Sequence, residues 1–312
     1  MDELSKNTIN KYIININTIN KLLFDEEIKY EKNELEAFIK GEIQLDFNKW
    51  FETPEEDVIK IIRNKYSNDN TYIGYLNSYR KVSILSKREL PLIKLEHLNM
   101  KKIVDKERNQ NILKENNYII NLDDEFINDI LINKTDLFGT IKQRLIFALY
   151  TLLPSRRLDY RLLKLIKPTT KDELDKERDK EYNYVYITDD KINFIFNEFK
   201  TKKYYDKEYS FENNLLISIF NEYIKIYKIK DNSLIFRNKQ NKLCSVQTFS
   251  LDINEAFYKV YKIGNLNMRD IRNSWANKIS QNMSNMSVDE LNKITNYMGH
   301  SIIENLKYRK IN

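Results

Sequence analysis

The sequence predicts a mainly α-helical protein in two domains, with one small antiparallel β-sheet set into the second. Three observations predict this class. The chain has 312 residues, more than one small core accommodates. Apolar residues recur at helical spacing along most of its length. Only the stretch 183–211 switches to two-residue alternation.

Residues 1–90 read as a helical domain. Ser5 is placed to cap a first helix from Thr8 to Leu23, whose stripe is Ile9, Ile13, Ile16 and Ile19. A second helix runs from Lys32 to Lys40 and stops at Gly41. Thr53-Pro54-Glu55-Glu56 supplies a cap and a first-turn proline for a third, ending at Lys65. After a turn at 67–70, a fourth runs from Thr71 to Leu85 and leads into a basic edge of Arg80, Lys81, Lys87 and Arg88.

Residues 91–135 read as a connector and the start of the second domain. Pro91 punctuates it, and Lys101, Lys102, Lys106 and Arg108 form a basic cluster. Asp123-Asp124-Glu125 opens a helix to Ile132.

The second domain is expected over 136–312. An apolar helix precedes Pro154, and Ser155 is placed to cap another through Lys167. Strands are expected at Asn183–Thr188, Lys191–Phe199 and Tyr204–Phe211, joined at Asp189-Asp190 and at 200–203. Helices then resume at 213–228, 245–261, 267–281 and 288–297, with a last turn to Tyr308. Ser287 and Glu290 have the spacing of a capping box, and Gly299 is placed to end its helix.

Composition excludes several classes. No apolar run approaches the roughly 20 residues of a membrane span. The opening MDELSK lacks an apolar signal core, so an intracellular protein is expected. One cysteine, Cys244, excludes an internal disulfide, and two histidines, His97 and His300, make a multi-histidine metal site improbable. No cofactor is expected. The net charge of +6 is unevenly spread, about −4 over residues 1–140 and about +10 over 141–312. A basic second half fits a polyanion partner such as nucleic acid.

The last forty-odd residues collect chemistry suited to a phosphodiester. Arg269 and Arg272 lie three apart, a Gly299-His300 turn follows, and Tyr308 comes close behind. A tyrosine hydroxyl can attack phosphorus without metal or activated water. The non-bridging oxygens then need cationic donors, for which arginine's fork is well shaped. The leaving 5′-oxygen needs a proton, which a lysine can give.

Those residue types occur in the order and surroundings of the tyrosine recombinase/integrase family, which the sequence resembles at three places. The segment 154–165 (PSRRLDYRLLKL) resembles the first arginine box, with Arg156 at a helix start and Asp159 three positions on. Arg157 is the alternative one position later. The segment 267–277 (NMRDIRNSWAN) resembles the second box, with Arg272 as its arginine, Arg269 where the family usually carries histidine, and Trp275 as the following aromatic. The segment 297–308 (YMGHSIIENLKY) resembles the Gly-His…Tyr box, one residue shorter than usual. Tyr297 reads as core.

The resemblance implies a DNA-breaking-rejoining architecture: a core-binding domain over 1–90 and a catalytic domain over 136–312, of the kind found in mobile elements and large DNA viruses. It implies a 3′-phosphotyrosine on Tyr308, formed without metal, with Arg156, Arg272, Arg269 and His300 on the phosphate. The family's lysine sits on a strand turn, where Lys200 or Lys202 is available. Asp159 and Trp275 would support the site. Arg80, Lys81, Lys87, Arg88, Lys101, Lys102 and Lys202 would contact duplex DNA, and a homotetramer on two DNA sites would exchange strands. A type IB topoisomerase-like activity and a catalytically inactive DNA-binding protein of the same fold are the alternatives.

Overall fold

The computed structural model describes residues 4–25, 30–109, 118–156, 158–167, 181–199, 208–238 and 240–308. Arg157, Lys200 and Lys202 lie outside the described residues, as do the side chains of Arg108 and Tyr308. The chain divides into two compact units, Met1–Gln110 and Asn111–Asn312. Among the described residues no helix is long and apolar enough to cross a membrane.

The first unit is helical. The Ser5 hydroxyl accepts from the Thr8 amide and opens α1 (Lys6–Phe24). Ile9, Ile13, Ile16 and Ile19 are each at most 5% exposed, and full burial of such a side chain contributes about 1.5–3 kcal/mol. They pack with α2 (Lys32–Lys40), the short α3 (Asn48–Glu52), α4 (Glu55–Lys65) and α5 (Asp69–Leu85). Trp50 is the centre of this core. Its Nε1 donates to Asn20 Oδ1 at 2.8 Å, and the Tyr79 hydroxyl donates to its carbonyl at 2.6 Å.

Residues 91–109, read from sequence as connector, form α6 (Pro91–Asn109), which packs on α4 and α5 within the first unit. Pro91 is its first residue, where the missing N–H costs nothing. Ile93 and Met100 bury its inner face.

The second unit surrounds one large core. Asp123 caps α7 (Asp124–Ile132), and Thr140 caps α8 (Ile141–Thr151), whose side chains from Leu145 to Thr151 are all buried. The helix expected after Ser155 does not form. The Ser155 hydroxyl bonds to the Arg156 carbonyl at 3.2 Å, a local contact that competes with capping. A short 3-10 turn, Asp159–Leu162, then leads into β1 (Leu163–Leu165).

That strand corrects the expected sheet. Five strands run in the order β4-β3-β2-β1-β5. The hairpin of β2 (Asn183–Ile187) and β3 (Ile192–Ile195) and its neighbour β4 (Glu208–Phe211) are antiparallel as read from sequence. However, β1 pairs with β2 in parallel, and β5 (Ser233–Leu234) adds to β1 antiparallel, so the sheet is mixed. A three-residue strand offers too little alternation to register against a helical pattern. Its partner lies about 20 residues away.

Five further helices follow, and asparagine or serine caps open four of them. The five are α9 (Asn214–Tyr227), α10 (Val246–Tyr261), α11 (Met268–Asn282), α12 (Val288–Tyr297) and α13 (Ile302–Tyr308). Asn213, Ser245, Asn267 and Ser287 each accept an amide at their helix start. At α11 the box is completed by Asp270, and at α12 by Glu290.

Candidate active site

Residues from three separated segments meet at the end of α12. Gly299 has φ +74°, a left-handed conformation that glycine adopts without cost. It permits a tight helix exit: the Gly299 amide donates to the Asn296 carbonyl at 2.9 Å, and the His300 amide to the Thr295 carbonyl at 3.1 Å. The exit leaves the Tyr297 and Met298 carbonyls facing inward as acceptors.

Two arginines take those acceptors. Arg156 Nη1 donates to the Tyr297 carbonyl. Arg272 Nη1 donates to the Met298 carbonyl at 3.0 Å and to the Ser155 carbonyl at 2.9 Å. Arg272 therefore holds both the residue before Arg156 and the turn that Arg156 itself holds. The two arginines are 116 positions apart in sequence.

Arg156 is 1% exposed. Its Nε donates to Asp159 Oδ2 at 2.9 Å, which neutralises the buried charge. Its guanidinium lies 3.8 Å from the Phe196 ring centre and 4.7 Å from that of Phe199. Its Nη2 is buried and donates to no described residue. Leaving a cationic N–H of this kind unmade is expensive.

His300 is 5% exposed, and its Nδ1 lies 2.7 Å from Arg272 Nη2. Arginine cannot accept, so Nδ1 must be the acceptor. Nε2 then carries the proton and donates to Asn305 Oδ1 at 3.1 Å. Asn305 is itself buried, on α13.

Tyr297 is core. It is 1% exposed, its hydroxyl pairs with that of Tyr160 at 2.6 Å, and its ring packs edge-on to Tyr209 and Phe211. Burial holds its hydroxyl well above the ordinary tyrosine range. Trp275 is structural as well: its Nε1 donates to the Tyr150 carbonyl at 2.9 Å and pins α11 to α8.

Arg269 stands apart from this cluster. It is exposed on the first turn of α11, and its guanidinium has no hydrogen bond to another described residue. Beside it Asp270 is buried and accepts from the Asn267 and Tyr118 amides, while desolvation raises its pKa. Tyr308 is the last residue of α13, the helix that carries Asn305. Lys200 and Lys202 fall in the connection between β3 and β4, outside the described residues.

The other basic candidates belong to the first unit. Lys101 and Lys102 are exposed on α6, and Lys87 and Arg88 are exposed after α5. Lys81 is half-buried. Arg80 donates to His97 Nδ1 at 2.8 Å, linking α5 to α6. Burial, Arg80 and Lys101 together lower the His97 pKa. Among the described residues no three His, Cys, Asp or Glu side chains gather where a metal ion could be held. Cys244 is buried, and burial raises its thiol pKa.

Sequence reasoning passed over Asn305. The chain is so rich in asparagine that one more, five residues after His300, carried no signal.

No family model matches the sequence, and no curated protein matches it. Among solved structures the chain is similar to a crystal structure of XerA recombinase. The TM-score is 0.40 and the identity 11%, over 98% of this chain and 94% of that one.

Proposed function

We propose that this chain is a DNA strand transferase that cuts and rejoins DNA through a 3′-phosphotyrosine on Tyr308, as a site-specific recombinase does. The observation that carries the reading is the interlock of Arg156 and Arg272 on the Gly299-His300 turn. The sequence motifs at 154–165, 267–277 and 297–308 are remote from one another, yet Arg156, Arg272 and His300, one from each, meet at this turn. Two buried guanidinium groups at one turn form a dianion-seeking site, and the unpaired Arg156 Nη2 is one ready donor to it.

In this reading Arg156 and Arg272 hold the non-bridging oxygens of the scissile phosphate, and their charge stabilises the pentacoordinate transition state. Asp159 orients Arg156. Arg269, exposed one helical turn before Arg272, meets the phosphate backbone. Lys200, or Lys202, protonates the leaving 5′-oxygen. The 5′-hydroxyl of a second duplex then attacks the phosphotyrosine, which frees Tyr308 and restores the phosphodiester. Four copies on two DNA sites would complete the exchange. Lys81, Lys87, Arg88, Lys101 and Lys102 would contact phosphates, so affinity would fall steeply with salt.

A second reading, a catalytically inactive DNA-binding protein, is favoured by the burial of Arg156 and Arg272. The experiment that separates them incubates the protein with a library of nicked duplexes and looks for a denaturant-resistant protein–DNA adduct. Strand exchange between two duplexes identifies a recombinase. Relaxation of a supercoiled plasmid without exchange identifies a topoisomerase. The absence of any adduct leaves the inactive reading.

A further inference from the structure

The second arginine is held by a relay that reaches the helix of the proposed nucleophile. Arg272 lies on α11, His300 in the turn after α12, and Asn305 on α13, three residues before Tyr308. All three side chains are at most 5% exposed.

The hydrogen-bond polarity along this line has one solution. Arg272 has only donors, so His300 Nδ1 must carry a lone pair. A neutral imidazole with a bare Nδ1 has its proton on Nε2, so Asn305 must present its oxygen rather than its amide nitrogen. Each member fixes the next. Both ring nitrogens are engaged by the protein, which leaves neither as the donor to phosphate that the sequence resemblance implies for His300.

We propose that His300 and Asn305 are positioning residues: Asn305 locks the imidazole in the Nε2–H tautomer so that Nδ1 can accept from Arg272 and aim it. This rests on the strand-transferase reading above. The opposite tautomer would point an N–H at a guanidinium N–H, a donor–donor clash that pushes Arg272 out of line. Asn305 would thus couple the geometry of the phosphate-binding arginine to that of α13, and so to the approach of Tyr308.

The test uses the full chain, labelled with nitrogen-15 at its two histidines. A His97→Gln variant assigns the two ring systems. Long-range nitrogen–proton spectra read the tautomer directly, and adduct formation on nicked duplexes is measured in parallel. The expected wild-type result is Nε2–H at His300. Asn305→Leu, which removes the acceptor, should mix the tautomers and slow adduct formation roughly 10- to 100-fold, the size expected for one orphaned buried donor. Asn305→Asp, which keeps an acceptor, should restore the Nε2–H form and most of the rate. A wild-type Nδ1–H tautomer, or a tautomer unchanged in Asn305→Leu, overturns the proposal while leaving the strand-transferase reading intact. No adduct with the wild-type protein overturns that reading itself, whatever the spectra show.

Discussion

Replacing Arg272 by lysine keeps the charge and removes the fork. The arginine donates at 2.9 Å to Ser155, at 3.0 Å to Met298 and at 2.7 Å to His300. A single ammonium on a shorter fork can reach one of these well. Two acceptors are then stranded in a site that is 4% exposed. Hydrogen bonds to a charged group contribute about 1.5–3 kcal/mol each, and they are not additive on one side chain. The expected loss is therefore about 3–5 kcal/mol. A unit of this size should lose roughly 2–4 °C of melting temperature per kcal/mol, and it should remain folded at 25 °C if its stability is in the usual range of about 5–15 kcal/mol. Trp275, three residues on, reports the transition. In a Trp50→Phe background it is the sole tryptophan, so urea titration followed by fluorescence isolates the second unit. At urea concentrations where the variant is still folded, adduct formation should be at least about 100-fold below wild type, since one aligned donor to a developing oxyanion is worth that much. A stability loss below about 1 kcal/mol would refute the interlock of Arg272 with the two main-chain segments.

Further outcomes follow from other parts of the structure. Gly299→Ala forces a side chain into φ +74° and should cost about 1–2 kcal/mol in the same titration. It should also slow adduct formation, because His300 is set by that turn. Asn20→Leu leaves the Trp50 Nε1 unpaired in the first core and should destabilise that unit by about 1–3 kcal/mol, read by thermal unfolding. The pKa of His97 is depressed in the fold, so the unfolded chain binds its proton more readily. Its contribution to stability is complete above about pH 6.5 and is lost as pH falls below that value. His97→Gln should flatten the stability–pH slope just below about pH 6.5, and an unchanged slope would contradict the Arg80–His97 contact.

Local signals in the sequence carried over well because a cap is a contact between neighbours. Ser5 and the Ser287–Glu290 box each need residues only three positions away, and each opens its helix. Gly299 ends α12 for the same reason. What failed to read was non-local. β1 exists because Leu163–Leu165 finds β2 in parallel, about 20 residues on, and no periodicity in three residues announces that. Ser155 has a cap's identity, but its hydroxyl turns to the next carbonyl. Pro91 read as punctuation, although a proline at a first helical turn is equally a beginning. At the site, Arg156, Arg272 and His300 were legible as residue types in order. Apart from the Arg156–Asp159 pair, their hydrogen bonds were not, because the partners are main-chain carbonyls, one asparagine among many, and His300 for Arg272. Arg269 stood in a box with Arg272 by spacing, yet the helix turns one outward and the other into the core.

The most direct measurement is the identity of the covalent link to DNA. The wild-type protein is incubated with the nicked-duplex library in the presence of a chelator, the denaturant-resistant adduct is digested, and the attached residue is read by mass spectrometry. The account predicts a 3′-phosphate ester on Tyr308 and no adduct with Tyr308→Phe. An adduct that persists in Tyr308→Phe, or a wild-type protein that forms none, would contradict it.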